Sequence, residues 1–299
     1  MNFNPAHKAD VDALDFWHIG PPNSPVIVEN ADLLLPYLPY FLSGWDIRWA
    51  GSSIDGLPDV RVEEQDDTTL RVVSRGRGAM DLSFNNPYDA ASGLADSLIG
   101  IYTARDPRSI RLCAGAAMID EGLVVFIEDP IIEKSGVALH LAVLGSRFFG
   151  NDQIAVRVRP HATGTCLGLM PMVSLPLPED CGHAFREFVD GYTSMQYADS
   201  AYLKLWEGEA ADFGESAPIT ALVFLDRIAG APAVLEPAME PDQIRDTLSA
   251  ATKLPIVSSD ILYDLTRPAV GVAFYRLRFS SSREAAALLS RKFRAGTPE

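Results

Sequence analysis

The 299-residue chain is 47% hydrophobic and 22% charged, a globular composition whose length sets an expectation of one or two domains. That excludes a disordered chain, a coiled coil and a collagen-like fibre. Forty Asp and Glu against 25 Lys and Arg leave a formal net charge of −15, which repels a polyanion and argues against nucleic acid as a partner.

No apolar stretch reaches the roughly 18 residues of a membrane span, so no membrane partner is expected. The first 17 residues carry Asp10, Asp12 and Asp15 where a secretory signal would carry a basic run and an apolar core. The expected localisation is therefore cytoplasmic. Cys113, Cys166 and Cys181 are odd in number, widely spaced and without a CxxC pair; they are expected to be reduced thiols.

In chain order, Pro21 to Pro25 form a turn cluster, and the β-branched run Val26–Val28 predicts a short strand. Leu33 to Leu42 is apolar but broken by Pro36 and Pro39, which leaves room only for a short, interrupted helix. Residues 48–50, 60–62 and 70–73 read as strands, with turns at Asp55-Gly56 and Asp66-Asp67. Residues 1–78 are read as a small N-terminal α+β domain, and 79–299 as a second domain.

That second domain opens with a turn at Asn86-Pro87-Tyr88-Asp89 and a helix over 90–102, where Leu94, Leu98, Ile99 and Ile101 recur at near-helical spacing. Strands follow at 109–119 and 122–127. The unbroken apolar run Leu123–Ile127 suits a strand buried on both faces. Residues 128–133 read as a loop, and 135–144 as a helix ending at Gly145. A further strand at 154–156 completes a βαβ-type unit. Beyond it, 168–171 and 175–178 are extended and turn-rich. Residues 219–225 and 274–279 predict strands, and 241–251 and 283–293 predict helices. Tyr192, Tyr197, Tyr202 and Trp206, four to five apart, read as a buried helix face.

Several common chemistries find no support. His140 has no His, Cys or acidic residue four positions on, so no zinc site is assigned. Ser194, Ser200 and the Ser280-Ser281-Ser282 run show no G-x-S-x-G elbow, so no serine hydrolase is assigned. No residue is assigned to a metal.

The segment between the strand at 122–127 and the next helix reads Glu128-Asp129-Pro130-Ile131-Ile132-Glu133-Lys134-Ser135. A phosphate-binding loop reads G-x-x-x-x-G-K-[ST] in that position. Its glycines let backbone N–H groups close on phosphate, its Lys reaches the β/γ-phosphates and its Ser or Thr holds Mg²⁺. Lys134 and Ser135 fit this pattern; both glycine positions are Glu.

Lys134-Ser135 through Val156 resembles the core of the HPr serine kinase family, especially its HPr-kinase-related branch. Gly145 falls at that family's glycine, and Asn151-Asp152 falls on its paired aspartates with the first changed to Asn. Cys113 stands where the family has a His. Residues 168–171, 175–178, 217–218, 222–227 and 275–279 are similar to segments of the related branch, so the resemblance spans roughly 90–292. It implies an α/β fold with a P-loop kinase-like core. It also implies a phosphate contact for Lys134, magnesium binding for Ser135, a catalytic or metal role for Asp152, and a possible homo-oligomer.

The departures weaken that chemistry. A non-Gly residue in a left-handed conformation costs roughly 1–2 kcal/mol. A carboxylate about 4 Å from a phosphate charge costs on the order of 4 kcal/mol per pair at an effective dielectric near 20. Asn151 is no general base. Alternatively, Glu128 and Glu133 complement the dipole of the following helix or pair with Lys134. The expected function is a degenerate kinase-like protein: a non-catalytic module that binds a protein or peptide, with a basic partner favoured and no cofactor. The alternative is an ATP-dependent serine kinase acting on a protein or peptide, using Mg·ATP with Lys134, Ser135 and Asp152. A purely structural subunit is a third reading.

Overall fold

Short β-branched and aromatic runs bounded by Gly, Pro and Asn turns dominate the chain, and most of them are strands. A computed structural model describes residues 14–66, 69–76, 79–127, 136–150, 152–238, 240–253, 259–267 and 271–294. The fold is mixed α/β, with three sheets and six α-helices among the described residues. It divides into two compact units, Met1–Pro39 with Trp45–Tyr102, and Tyr40–Gly44 with Thr103–Glu299.

The first unit carries strands β1 (Phe16–Ile19), β2 (Val26–Glu29), β3 (Ile47–Gly51), β4 (Val60–Glu64), β5 (Leu70–Ser74) and β6 (Asp81–Phe84). They form one sheet ordered β3-β1-β2-β4-β5-β6, antiparallel except where β2 runs parallel to β4. Val60, Val62, Leu70 and Val72 are buried while Arg61 and Arg71 between them are only partly so. This is the period-two pattern of a sheet with one face in a core. The proline-broken stretch before β3 makes a single 3₁₀ turn at Leu38–Tyr40, as Pro36 and Pro39 dictate. Helix α1 (Pro87–Ala104) starts from Asn86, whose Oδ1 accepts from the Asp89 backbone N–H at 2.9 Å. Pro87 occupies the first helical position.

The second unit begins with the hairpin β7 (Ser109–Ile119) and β8 (Gly122–Ile127), followed by α2 (Val137–Val143), β9 (Arg147–Gly150), β10 (Gln153–Arg157) and β11 (Thr163–Cys166). Then come β12 (Met172–Ser174), α3 (His183–Tyr192), β13 (Thr193–Tyr197), β14 (Ser200–Leu203), β15 (Ser216–Arg227), β16 (Val234–Pro237), α4 (Pro241–Ala250), α5 (Ser259–Leu265), β17 (Ala273–Phe279) and α6 (Ser282–Phe293). The main sheet runs β11-β10-β7-β8-β15-β17-β16, with β9 also on β7. Strands β8, β15 and β17 are mutually parallel. A second pairing, β11 with β15, closes the path β7-β8-β15-β11-β10 on itself. Gly164 on β11 is what that closure needs: a Cβ there would collide with Leu123 Cδ2. Strands β12, β14 and β13 form a small separate sheet.

Strand β8 is buried at all six positions, as its unbroken apolar run predicts. Leu123, Val125 and Ile127 point into a core shared with Ile244 and Leu248 of α4 and Leu262 and Leu265 of α5. Val124 and Phe126 point into an opposite core with Val137–Leu141 of α2, Phe185 and Val189 of α3, and Ala285, Ala286 and Leu289 of α6. Helices therefore cover both faces. Helix α2 and strand β9 carry the chain from β8 over to the far side of β7.

Helix α2 stops as Gly145 predicts. Gly145 takes a φ of 86° and its N–H donates to Ala142 O at 2.9 Å, while Ser146 N–H donates to Leu141 O at 2.9 Å. These two bonds are the Schellman pattern that satisfies the last carbonyls of a helix.

One expectation is overturned. Tyr192, Tyr197, Tyr202 and Trp206 do not share a helix face. Helix α3 ends at Tyr192, Tyr197 and Tyr202 lie on the antiparallel strands β13 and β14, and Trp206 is 70% exposed. Ala198 takes a φ of 48° between those strands, the reversal of a hairpin. Its sequence, Ala-Asp, carries none of the usual Asn-Gly or Asp-Gly marks.

Candidate functional site

Parallel strands point their C-terminal ends at one edge, and in open α/β sheets the crevice beyond that edge is where ligands bind. Here β8 ends at Ile127, β15 at Arg227 and β17 at Phe279. From β17 the chain turns through Ser280 and Ser281 into α6, and Gly136 precedes α2. A cavity of about 60 Å³ lies among these ends, with Gly136, His140, Asp180, Arg227, Ser281 and Ser282 on its walls.

Three side chains define its chemistry. Ser281 is the N-cap residue of α6 but makes no capping hydrogen bond. It is 7% exposed, and its Oγ has no hydrogen-bond partner. Leaving a buried hydroxyl unsatisfied costs about 1–3 kcal/mol. Arg227 is half-buried; its Nε donates to Ser280 O at 3.4 Å, and it forms no ion pair among the described residues. His140 is buried on α2 and stacks on Phe185 of α3, ring centroids 3.9 Å apart and 21° from coplanar. Burial pushes its pKa down to about 4, with Asp180 opposing and Arg283 reinforcing the shift. At neutral pH it is therefore an uncharged aromatic wall rather than a cation.

Lys134 and Ser135 lie outside the described residues, as do Glu128, Glu133 and Asn151. Asp152 is described, and stands half-buried just before β10. Its backbone O accepts from Ala114 N–H at 3.0 Å, and its Oδ2 accepts from Gln153 Nε2 at 3.2 Å. Ala114 in turn pairs with Ile127. Asp152, Ala114 and Ile127 thus form one row across β10, β7 and β8, at the level where β8 ends. Cys113 is the next residue on β7, paired in register with Gln153; its N–H donates to Ala251 O at 2.7 Å. All three cysteines are free thiols, and burial pushes the Cys166 thiol up to about 11. Among the described residues no group of three His, Cys, Asp or Glu is placed to hold a metal, and no helix is long and apolar enough to cross a membrane.

Sequence reasoning missed this cavity. Its residues come from separate stretches of the chain, and those that the sequence reading weighed, among them His140, Cys181, Ser281 and Ser282, were weighed singly and never brought together. The usable signal was the Ser pair directly before the apolar period of α6, a helix start.

Comparison with known proteins adds little. No family model matches the chain, and no curated protein matches it. Among solved structures it is similar to the HPr(Ser) kinase/phosphatase from Coxiella burnetii, at 12% sequence identity. The match covers 60% of this chain and 91% of that one, with a TM-score of 0.29. That is a distant likeness, in the family the residues above resemble, and it decides neither fold nor activity.

Proposed function

We propose that the chain is a non-catalytic protein- or peptide-binding module on a degenerate kinase-like core. The observation that supports this most is Glu128 and Glu133 at both glycine positions of the phosphate loop, which sets carboxylates where phosphate charge would lie. Asn151 in place of the first Asp of the pair points the same way. A net charge of −15 favours a basic partner by electrostatic steering.

A second reading is favoured by one observation, the row that sets Asp152 level with the end of β8. In that reading the chain is an ATP-dependent serine kinase acting on a protein or peptide, with Lys134 on phosphate and Ser135 on magnesium. Binding of a defined partner peptide by both the wild type and Lys134→Ala is expected of the module. Incorporation of labelled phosphate into that peptide, abolished by Lys134→Ala, would establish the kinase instead.

A further inference from the structure

We propose that Trp206, Tyr192 and Phe188, with the Glu209 carboxylate bridging the first two, form a docking surface for a cationic side chain, arginine or lysine, of a basic peptide. That the cation belongs to a peptide rests on the binding-module reading. Phe188 and Tyr192 lie one turn apart on α3, their ring centroids 4.6 Å apart and 40° from coplanar. Trp206, just past β14, meets Tyr192 at 6.3 Å and 63°. The three rings make one stepped surface. Trp206 is 70% exposed, and Phe188 and Tyr192 are half-buried, packed from below against the core with Leu205. The helix positions that would cover Phe188, three and four residues away, are Gly191 and Ala184, both exposed. A Cβ at Gly191 would meet nothing within 4 Å.

Charge decides what such a surface takes. Tyr192 OH donates to Glu209 Oε1 at 2.6 Å, and the Trp206 backbone N–H donates to Oε2 at 2.9 Å. These bonds hold the carboxylate beside both rings, and it forms no salt bridge among the described residues. The bond to Glu209 raises the Tyr192 pKa, so the phenol stays protonated and keeps donating at neutral pH. Between Glu187 and Glu209 the chain adds Asp190, Asp199 and Glu207 against Lys204 alone. Arg186 is turned away, donating to Pro178 O and Glu179 O. Aromatic faces carry the negative side of the ring quadrupole. Set in a negative field, with Trp the strongest of the three rings for a cation, they select a guanidinium or an ammonium.

The test is fluorescence anisotropy of a dye-labelled Gly-Arg-Gly-Arg-Gly peptide titrated with the full chain at low ionic strength, where charge attraction is least screened. A second peptide carries citrulline for arginine, which keeps the shape and removes the charge. The arginine peptide is expected to bind, and the citrulline peptide to bind more weakly. Trp206→Ala and Glu209→Gln are each expected to weaken the arginine peptide about threefold or more. Trp206→Phe, which restores a ring, recovers most of that loss. Trp49→Ala, at an exposed Trp of the first unit, leaves the affinity unchanged and so separates the surface from the general attraction of an acidic protein. Trp206 is exposed, so Trp206→Ala keeps the wild-type melting temperature; this separates a lost contact from a lost fold. Absence of arginine-peptide binding, equal binding of the citrulline peptide, or an affinity untouched by Trp206→Ala would overturn the surface. The binding-module reading fails by a different result: transfer of labelled phosphate to a serine added to this peptide, abolished by Lys134→Ala.

Discussion

At the residue scale, His140 shows how burial sets chemistry. Its ring lies against Phe185 with its pKa held near 4, while in the unfolded chain it titrates near 6.5. Between those values the unfolded state holds the extra proton, so stability is fully present above pH 6.5 and falls as pH drops towards 4. The loss reaches about 3 kcal/mol. Urea unfolding from pH 7.5 to 4 should show this slope in the wild type and a flatter profile in His140→Leu. Equal slopes would mean that the ring is not excluded from solvent as described. Gly164 is a second single-residue constraint. A Cβ there meets Leu123 inside a closed ring of strands that has little room to give, so Gly164→Ala should destabilise by about 1–3 kcal/mol in denaturant unfolding. The sequence shows neither role. His140 is one of five scattered histidines and Gly164 one of 22 glycines; only three-dimensional neighbours distinguish them.

Among the elements, those with unambiguous local signals were legible. Strands β7 and β8 match their predicted limits because apolar continuity and the Asp120-Glu121 turn mark both ends. Helices α4 and α6 follow from their periodicity. Helix α2 ends where Gly145 says it should, and Gly145→Ala should cost roughly 1–2 kcal/mol, since Ala at positive φ is strained. Circular dichroism melting of that variant checks the point; an unchanged melting temperature would mean the helix terminates without its left-handed residue. The hairpin of β13 and β14 was misread because tyrosines four to five apart satisfy a loose helical period, and the reversal at Ala198 has no glycine to announce it. The short strands β9, β11 and β12 are set by pairing with distant partners, which no local window contains. Such tertiary selection also explains why the cavity at the strand ends was invisible. It exists only because β8, β15 and β17, whose last residues are Ile127, Arg227 and Phe279, finish at the same edge.

For the whole molecule, the parallel trio β8, β15 and β17, with helices on both faces, brings three C-terminal strand ends to one edge. The acidic surface narrows the partners that would approach it. Lys134, Ser135 and Asp152 are the residues on which kinase activity would depend. The most direct measurement is a thermal shift with Mg·ATP on the wild type and Lys134→Ala, since a ligand that binds the native state raises its stability by RT ln(1 + [L]/Kd). A non-catalytic module predicts that millimolar Mg·ATP leaves the melting temperature of both unchanged. A clear rise in the wild type, abolished by Lys134→Ala, would contradict it and identify a nucleotide-binding kinase.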